Sequence, residues 1–458
     1  MSGPSPFAPA DLGAGPVRPL ILRLAAPAVV GLSVNAAHQT INAVFVGMLG
    51  AEALAAVTLT LPVLMLGAAL GEGLGAGACA EIARSLGAGN RQRAGTAASI
   101  SLLACLPVAT LLTFAGLFFT EPLLRLFGAS DASLPLAVPY VRIMALGMVL
   151  TLIQVVCDFV AIGEGNSRFS MGTLIAGFSL NIILDPILIF GLGLGVEGAA
   201  LATILSQVVV LAAYGSYFLK GWSNLKLALP GAFDLKLLRP VIAIGLPVTL
   251  SSFLTAAAFA LAYKAAAETA GDAGVAAIGI ALRLVILGTL PIVGFALGGQ
   301  PVLGYAFGNG AQARLREATY FMVVAASLFC MVYGFGVAAF ARPLAGIFTD
   351  DPEVLVLGAS AIVAIHLAFP LTGLRLVLLV LLQATERPKL AAVISVSAQG
   401  FLLAPPLLVL PGLFGFAAVP LSVAGGIAVA GAMSMALLWP ILFGQPRPAT
   451  AVPIENSG

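Results

Sequence analysis

The chain has 458 residues, 60% of them apolar and 9% charged, with a mean hydropathy of +1.09. Soluble domains carry roughly 25% charged residues, so a water-soluble fold, a disordered chain and a coiled coil are all excluded. The 21 Lys and Arg nearly balance the 19 Asp and Glu, a net charge of +2 with no basic run, which argues against nucleic acid as a partner.

In chain order, a tail over residues 1–19, rich in Pro, Gly and Ala, precedes an apolar stretch from Leu20 that is too long for a cleaved signal peptide. About 20 apolar residues cross a bilayer. Breaking the chain at its charged and Gly/Pro-rich points predicts twelve spans: 20–48, 53–82, 95–119, 134–162, 169–190, 196–219, 241–266, 274–304, 317–341, 354–383, 390–411 and 414–443. A linker over 220–240 and a tail over 444–458 complete the chain. Cys79, Cys105, Cys157 and Cys330 sit singly inside the apolar runs, so they read as packing residues rather than as a zinc site or disulfide framework.

Basic residues orient the spans. With the N-terminus in the cytoplasm, Arg18, Arg23, Arg84, Arg91, Arg93, Arg168, Lys220, Lys226, Lys236, Arg239, Arg314, Arg316, Arg387, Lys389 and Arg447 fall inside, whereas Arg125 and Arg342 fall in outer loops. Arg142, Lys264, Arg283 and Arg375 remain within spans or at their edges. The positive-inside rule therefore predicts both termini in the cytoplasm, and the expected location is a bacterial or archaeal plasma (inner) membrane, crossed many times.

The two halves look like copies. The run Arg18–Pro27 (RPLILRLAAP) matches Arg239–Pro247 (RPVIAIGLP), Arg84–Arg93 (RSLGAGNRQR) matches Leu303–Arg314 (LGYAFGNGAQAR), and Leu126-Phe127 before Asp131 pairs with Ile347-Phe348 before Asp350 and Asp351. Six spans per half give the copies parallel topology. The predicted fold is an all-α integral membrane protein whose twelve helices form two pseudo-symmetric lobes, residues 20–219 and 241–443, around a central cleft. Secondary transporters place substrate in such a cleft and rock the lobes about it.

Several ordered segments carry a family resemblance: Ile41–Gly50 (INAVFVGMLG), Ile82–Asn90 (IARSLGAGN), Asn181–Pro186 (NIILDP) and Gly193–Thr203 (GLGVEGAALAT). Together they resemble the multidrug and toxic compound extrusion (MATE) family, part of the multidrug, oligosaccharidyl-lipid and polysaccharide flippase superfamily. The resemblance implies an antiporter that expels organic, often cationic and amphipathic compounds against inward flow of protons or sodium. It is nearest the branch whose N-lobe holds the coupling carboxylates. By that resemblance Asn181 and Asp185 match the coupling pair of the fifth span, and Tyr140 and Thr203 match residues lining the same cavity. The branch usually carries Asp where this chain has Asn42, which puts a second carboxylate and sodium binding in doubt and tilts the coupling toward protons.

The residues read the same way. A carboxylate within a span is costly and by default functional. Asp185 shares a helical face with Asn181 and precedes Pro186, which frees the carbonyl of Ile182. A carboxyl in a low-dielectric site can exchange a proton near neutral pH, or with Asn181 can hold sodium; the alternative is a structural acid bonded to its neighbours. Asn35, His38 and Asn42 form one stripe on the first span, with Gln39 beside it. His38 titrates near neutrality and can share a proton relay, or simply be satisfied by a neighbouring helix. Glu72, Asp158 with Gln154 one turn earlier, and Arg375 complete the cavity candidates, while Glu81 and Arg84 read as an interfacial ion pair.

In the second half Pro405 and Pro406 stand where Asp185 and Pro186 stand in the first, so coupling is expected to be asymmetric. Its interior offers Tyr263, Lys264, Gln300, His366, Arg375, Gln383 and Gln399. Lys264 and Arg375 leave a second reading open, a flippase or exporter of an anionic lipid or lipid-linked saccharide. A membrane enzyme is disfavoured because HExxH, GxSxG and DxxD are all missing, and a channel because no filter-like loop or charge ring appears. The expected partners are a small-molecule substrate, a proton or sodium ion and membrane lipid. No cofactor is implied, and a monomer suffices because one chain supplies both lobes.

Overall fold

The structure, a computed structural model, describes residues 9–126, 134–227 and 235–443. Phe127 and Asp131 of the expected acidic turn, part of the linker and the whole 444–458 tail with Arg447 lie outside them. The first half comprises α1 (Val17–Gly47), α2 (Ala51–Gly87), α3 (Arg91–Phe118), a short α4 (Thr120–Leu126), α5 (Leu134–Gly163), α6 (Ser167–Pro186) running into a π-helical turn Ile187–Gly191, and α7 (Gly195–Leu219). The second half comprises α8 (Leu235–Gly308), α9 (Gln312–Ala339), a short α10 (Ala341–Gly346), α11 (Pro352–Ala368), α12 (Pro370–Ala384), α13 (Pro388–Val396) with a π-helical turn Ser397–Phe401, α14 (Ala404–Phe414) and α15 (Ala418–Phe443).

These elements make the twelve spans. α8 folds back where Ala270 (φ −145°) and Gly271 (φ 56°, ψ −146°) leave helical geometry, so its arms are the seventh and eighth spans. α11 and α12 meet at 47° and together form the tenth, with Pro370 opening the second piece. α13 to α14 is the eleventh. Several helices overrun their expected ends; α2 continues past residue 82 to Gly87, carrying Arg84 to the helix end, because helical hydrogen bonding does not stop at the edge of the hydrocarbon. Polar caps set starts: Asn90, Asn166 and Asp351 each accept a backbone N–H of the first turn of α3, α6 and α11.

The duplication is visible in the backbone. Left-handed φ values occur at Gly50 and Gly271, Gly89 and Gly310, Gly165 and Glu386, and Gly193 and Gly415, four pairs at nearly one spacing along the chain, each closing the same helix junction in the two lobes. Glu386 is the one non-glycine among them in the described residues. α4 and α10 are a further matched pair that hydropathy did not predict.

The lobes touch at one end and part at the other. At the end carrying the N-terminal segment, Gly298 and Gly294 of the eighth span lie against Ala25 and Val29 of α1. Gly73 and Gly77 of α2 lie against Gly245 and Val241, and Gly308 lies against the Arg84 carbonyl. A Cβ at these glycines would meet backbone, so their absence of a side chain is what lets the lobes close. The faces that pack there are exposed further along. α1 shows Ala36, Gln39, Thr40 and Ala43, the seventh span shows Phe253, Ala256 and Ala260, and the eighth shows Ile286 and Leu287. The cleft is closed at one end and open at the opposite one.

Candidate functional site

Deep in the first lobe three helices converge on one polar cluster. α6 supplies Asn181 (3% exposed) and Asp185 (0% exposed), a helical turn apart on its inner face. Pro186, without an N–H, cannot continue the α ladder, and the helix widens into the π turn, where Leu192 N–H bonds the Ile187 carbonyl at 2.8 Å. α1 supplies His38, stacked on Phe178 at 4.5 Å between ring centroids, and α7 supplies Thr203. Tyr140 of α5 is buried within electrostatic reach of Asp185.

The Asn181 amide sits at the centre and fits its neighbours in two ways. With its NH2 inward it donates to His38 Nε2 at 2.6 Å and to Asp185 Oδ2 at 3.2 Å, while its carbonyl accepts from the Thr203 N–H at 3.1 Å. With its carbonyl inward it accepts from His38 Nε2–H at 2.6 Å, and its NH2 faces Thr203 Oγ1 at 3.4 Å. The first arrangement suits an ionised Asp185. The second places two oxygens together unless Asp185 carries a proton to donate. Amide orientation follows from the surrounding network, and the first arrangement satisfies all three neighbours. His38 Nδ1, Asn42 Oδ1 and Asp185 Oδ1 are each buried without a hydrogen-bond partner among the described residues.

The remaining predicted residues separate. Asn35 and Asn42 are half-buried and Gln39 is exposed, all on the cleft-facing stretch of α1. Glu72 is exposed on α2. Gln154 is half-buried and its Oε1 has no partner among the described residues. Asp158 lies apart from the Asp185 cluster and away from the cleft wall. It accepts hydrogen bonds from Tyr214 and, at 3.1 Å, from Ser170, so this acid is held between α5, α6 and α7. In the second lobe Lys264 is exposed and pairs with Glu268 at 3.7 Å, so it stays out of the interior. Gln300 donates to Gln383 at 3.2 Å, and His366 Nδ1 faces the Ile362 carbonyl at 2.9 Å. Arg375 instead lines a cavity inside that lobe. The four cysteines are free and buried.

Residues 27–187 and 247–409 each match the MatE family model, one copy per lobe. The chain belongs to the MATE family. It is 28% identical over 409 residues to the multidrug export protein MepA of Staphylococcus aureus (strain MSSA476), covering 88% of this chain and 89% of that protein. It is also 28% identical over 398 residues to a protein of Shewanella oneidensis named an FAD transporter, covering 85% and 87%. A solved structure described as the outward-facing conformation of a multidrug resistance MATE family transporter superposes with a TM-score of 0.86 at 27% identity, covering 93% of this chain and 96% of that one. These likenesses bear out the twelve-helix, two-lobe MATE fold and a multi-pass membrane transporter.

The closed end of this MATE chain holds polar contacts that sequence reading missed, apart from the Glu81–Arg84 pair. Glu81 is fully buried and also takes Arg93 at 2.8 Å, while Arg84 reaches across the lobes to Glu386 at 2.9 Å. The segment before α1 straps the mouth: Ala10 N–H bonds the Gly165 carbonyl of one lobe at 3.1 Å, and Arg314 of the other donates to the carbonyls of Leu12 and Gly15 at 2.9 Å. Beside it, in the turn after α5, buried Glu164 accepts from Tyr217 at 2.5 Å, Ser223 and the Asn224 N–H at 2.8 Å. A carboxylate between Gly163 and Gly165 reads from sequence as an exposed turn, which is why it escaped notice.

Burial pushes the Glu164 carboxyl up to about 7 from an ordinary 4.5, against the downward pull of those hydrogen bonds. A carboxyl whose folded pKa is raised favours the folded state while protonated, and that stability is lost as pH rises through the interval. The expected result is a thermal midpoint in detergent that falls between pH 4.5 and 7, with a loss of roughly 3 kcal/mol at 1.36 kcal/mol per unit. Glu164→Gln should make the fall between these pH values shallower. An unchanged slope in that variant would remove Glu164 as its source.

Proposed function

We propose that the chain is a secondary antiporter that exports organic, cationic or amphipathic compounds by alternating access, driven by inward proton movement through Asp185. The observation that carries this reading is the junction of α1, α6 and α7 at Asn181, where one acid is linked to a histidine on a different helix. Uptake of a proton by Asp185 turns the amide, changes what α6 offers to His38 of α1, and so favours a different arrangement of these helices. Coupling requires this differential preference, since an ion that binds both states equally shifts neither. Asn42 in place of an acid leaves a single carboxylate among neutral donors, which suits a proton better than sodium.

With basic residues on the cytoplasmic side, both termini lie in the cytoplasm of the plasma (inner) membrane, the closed end faces inward and the structure is outward-open. Gln39, Asn35 and Glu72 then line the open chamber, where Glu72 offers a carboxylate to a cationic substrate. One chain supplies both lobes, so a monomer completes the cycle. Proteoliposomes with a proton or a sodium gradient imposed separately test the coupling: efflux driven by the proton gradient alone is the expected result, and efflux driven only by sodium would overturn it. A second reading, export or flipping of an anionic lipid or lipid-linked saccharide, is favoured by one observation, the guanidinium in the second lobe.

A further inference from the structure

A cavity of ≈ 210 Å³ lies inside the second lobe, lined from the seventh, eighth, tenth, eleventh and twelfth spans. Arg375 projects into it beside Thr255, Thr289, Thr372 and Gln399, and the rest of the wall is apolar, with Phe259 and Ile427 among it. The position is near mid-depth in each contributing span. Among the described residues no carboxylate and no hydrogen-bond acceptor of the protein pairs with this guanidinium. None can do so from nearby. Every acid of the second lobe, Glu268, Asp272, Glu317, Asp350, Asp351, Glu353 and Glu386, belongs to a helix end or a turn, and no acid is among the residues lining the cavity.

Arg is always charged and strongly disfavoured in an apolar span unless something neutralises it. Here the neutralising group has to come from outside the chain. The neighbouring donors and acceptors define its form. Thr255 and Thr289 spend their hydroxyl hydrogens on the carbonyls of Ser251 and Val285, at 2.7 and 2.8 Å, so they offer only acceptor lone pairs. Donors for an anion are the planar guanidinium fork, the Gln399 amide and the Thr372 hydroxyl. Gln399 sits in the π turn Ser397–Phe401, the kind of helix irregularity that recurs at functional sites. A carboxylate or phosphate matches the fork in two parallel hydrogen bonds, and the apolar wall suits a hydrocarbon body.

We infer that the second-lobe cavity is a binding site for an amphipathic organic anion, its carboxylate or phosphate held by Arg375 and Gln399 and its apolar part by the surrounding spans. The inference deepens the substrate side of the export reading and rests on that reading only for what binding accomplishes. The anion's source is either a membrane phospholipid or a water-borne amphiphile, and both present the same chemistry.

The test uses the full chain in phosphatidylcholine nanodiscs with dansyl-undecanoate as the probe, its emission rising as the dansyl group leaves water. Arg375→Gln is expected to weaken binding at least about tenfold, the scale of losing a charge-assisted hydrogen bond, and Arg375→Lys to restore part of it. Because Arg375 has no partner among the described residues to strand, Arg375→Gln should keep a thermal midpoint at or above the parent's. Competition assigns the source: displacement by laurate marks a free amphiphile, and displacement by phosphatidylglycerol alone marks a lipid. Unchanged affinity in Arg375→Gln, or displacement of the probe by dodecylammonium as readily as by laurate in the parent protein, overturns the inference. Probe binding is read in the parent protein without any imposed gradient, and proton-driven transport is read separately in proteoliposomes, so a failure of proton coupling and a failure of this site are distinguished.

Discussion

Asp185→Asn is expected to reduce proton-driven efflux of ethidium from preloaded cells by at least about tenfold, the span of a coupling free energy of about 1.4 kcal/mol. The substitution keeps the size of the side chain and its ability to hydrogen-bond Asn181, but it cannot take up or release a proton. On the proposed coupling, the Asn181 amide then loses the proton event at Asp185, and with it the link to His38 of α1. Ethidium affinity in the absence of a gradient should change little, since Asp185 is sealed from the cleft at 0% exposure. His38→Ala should give a smaller loss, because it removes the sensor and leaves the proton acceptor. Efflux at the parent rate in Asp185→Asn would take this acid out of the mechanism.

The second large effect is expected at the closed end. Glu386→Gln combined with Arg314→Ala removes the ion pair to Arg84 and the bonds that hold the strap before α1. Neither deletion touches the apolar packing of the lobes, and Glu386 is more than half exposed, so the fold should survive. A partly exposed ion pair and a few hydrogen bonds sum to about 2 kcal/mol, which moves a two-state equilibrium about thirtyfold. A cysteine introduced at Tyr305, which packs against Gly13 and Gly87, should be labelled by a maleimide much faster in the double variant, in a background lacking the four native cysteines. Equal labelling rates would mean that the glycine-lined helix faces alone keep this end shut.

The cost of these devices is visible in the backbone. Glu386 occupies a left-handed φ of 56° where its counterpart in the first lobe is Gly165. A non-glycine residue held there is strained and persists only where its surroundings over-determine it. The salt bridge to Arg84 is the interaction that the glycine could not provide.

Composition and hydropathy by themselves determined that this is a twelve-span membrane protein built from two copies, because each span has to satisfy its own backbone and present an apolar surface, a constraint written locally in every 20 residues. Asp185 and Asn181 stand out in the sequence for a similarly local reason: a carboxylate and an amide one turn apart in an apolar helix carry a large desolvation cost. What lies between helices was decided only by tertiary structure. Asp158 is a cavity candidate from the sequence, yet Tyr214 and Ser170, 56 and 12 residues away, hold it among α5, α6 and α7. Lys264 lies near the outer end of its span and pairs at the surface with Glu268 one turn on, whereas Arg375 lies deeper, where the sequence leads one to expect a protein partner, and no acid among the described residues meets it. Partners distant in the chain leave no periodic trace in it, and so the closed mouth, the Glu164 turn and the second-lobe cavity emerge only when the helices are packed.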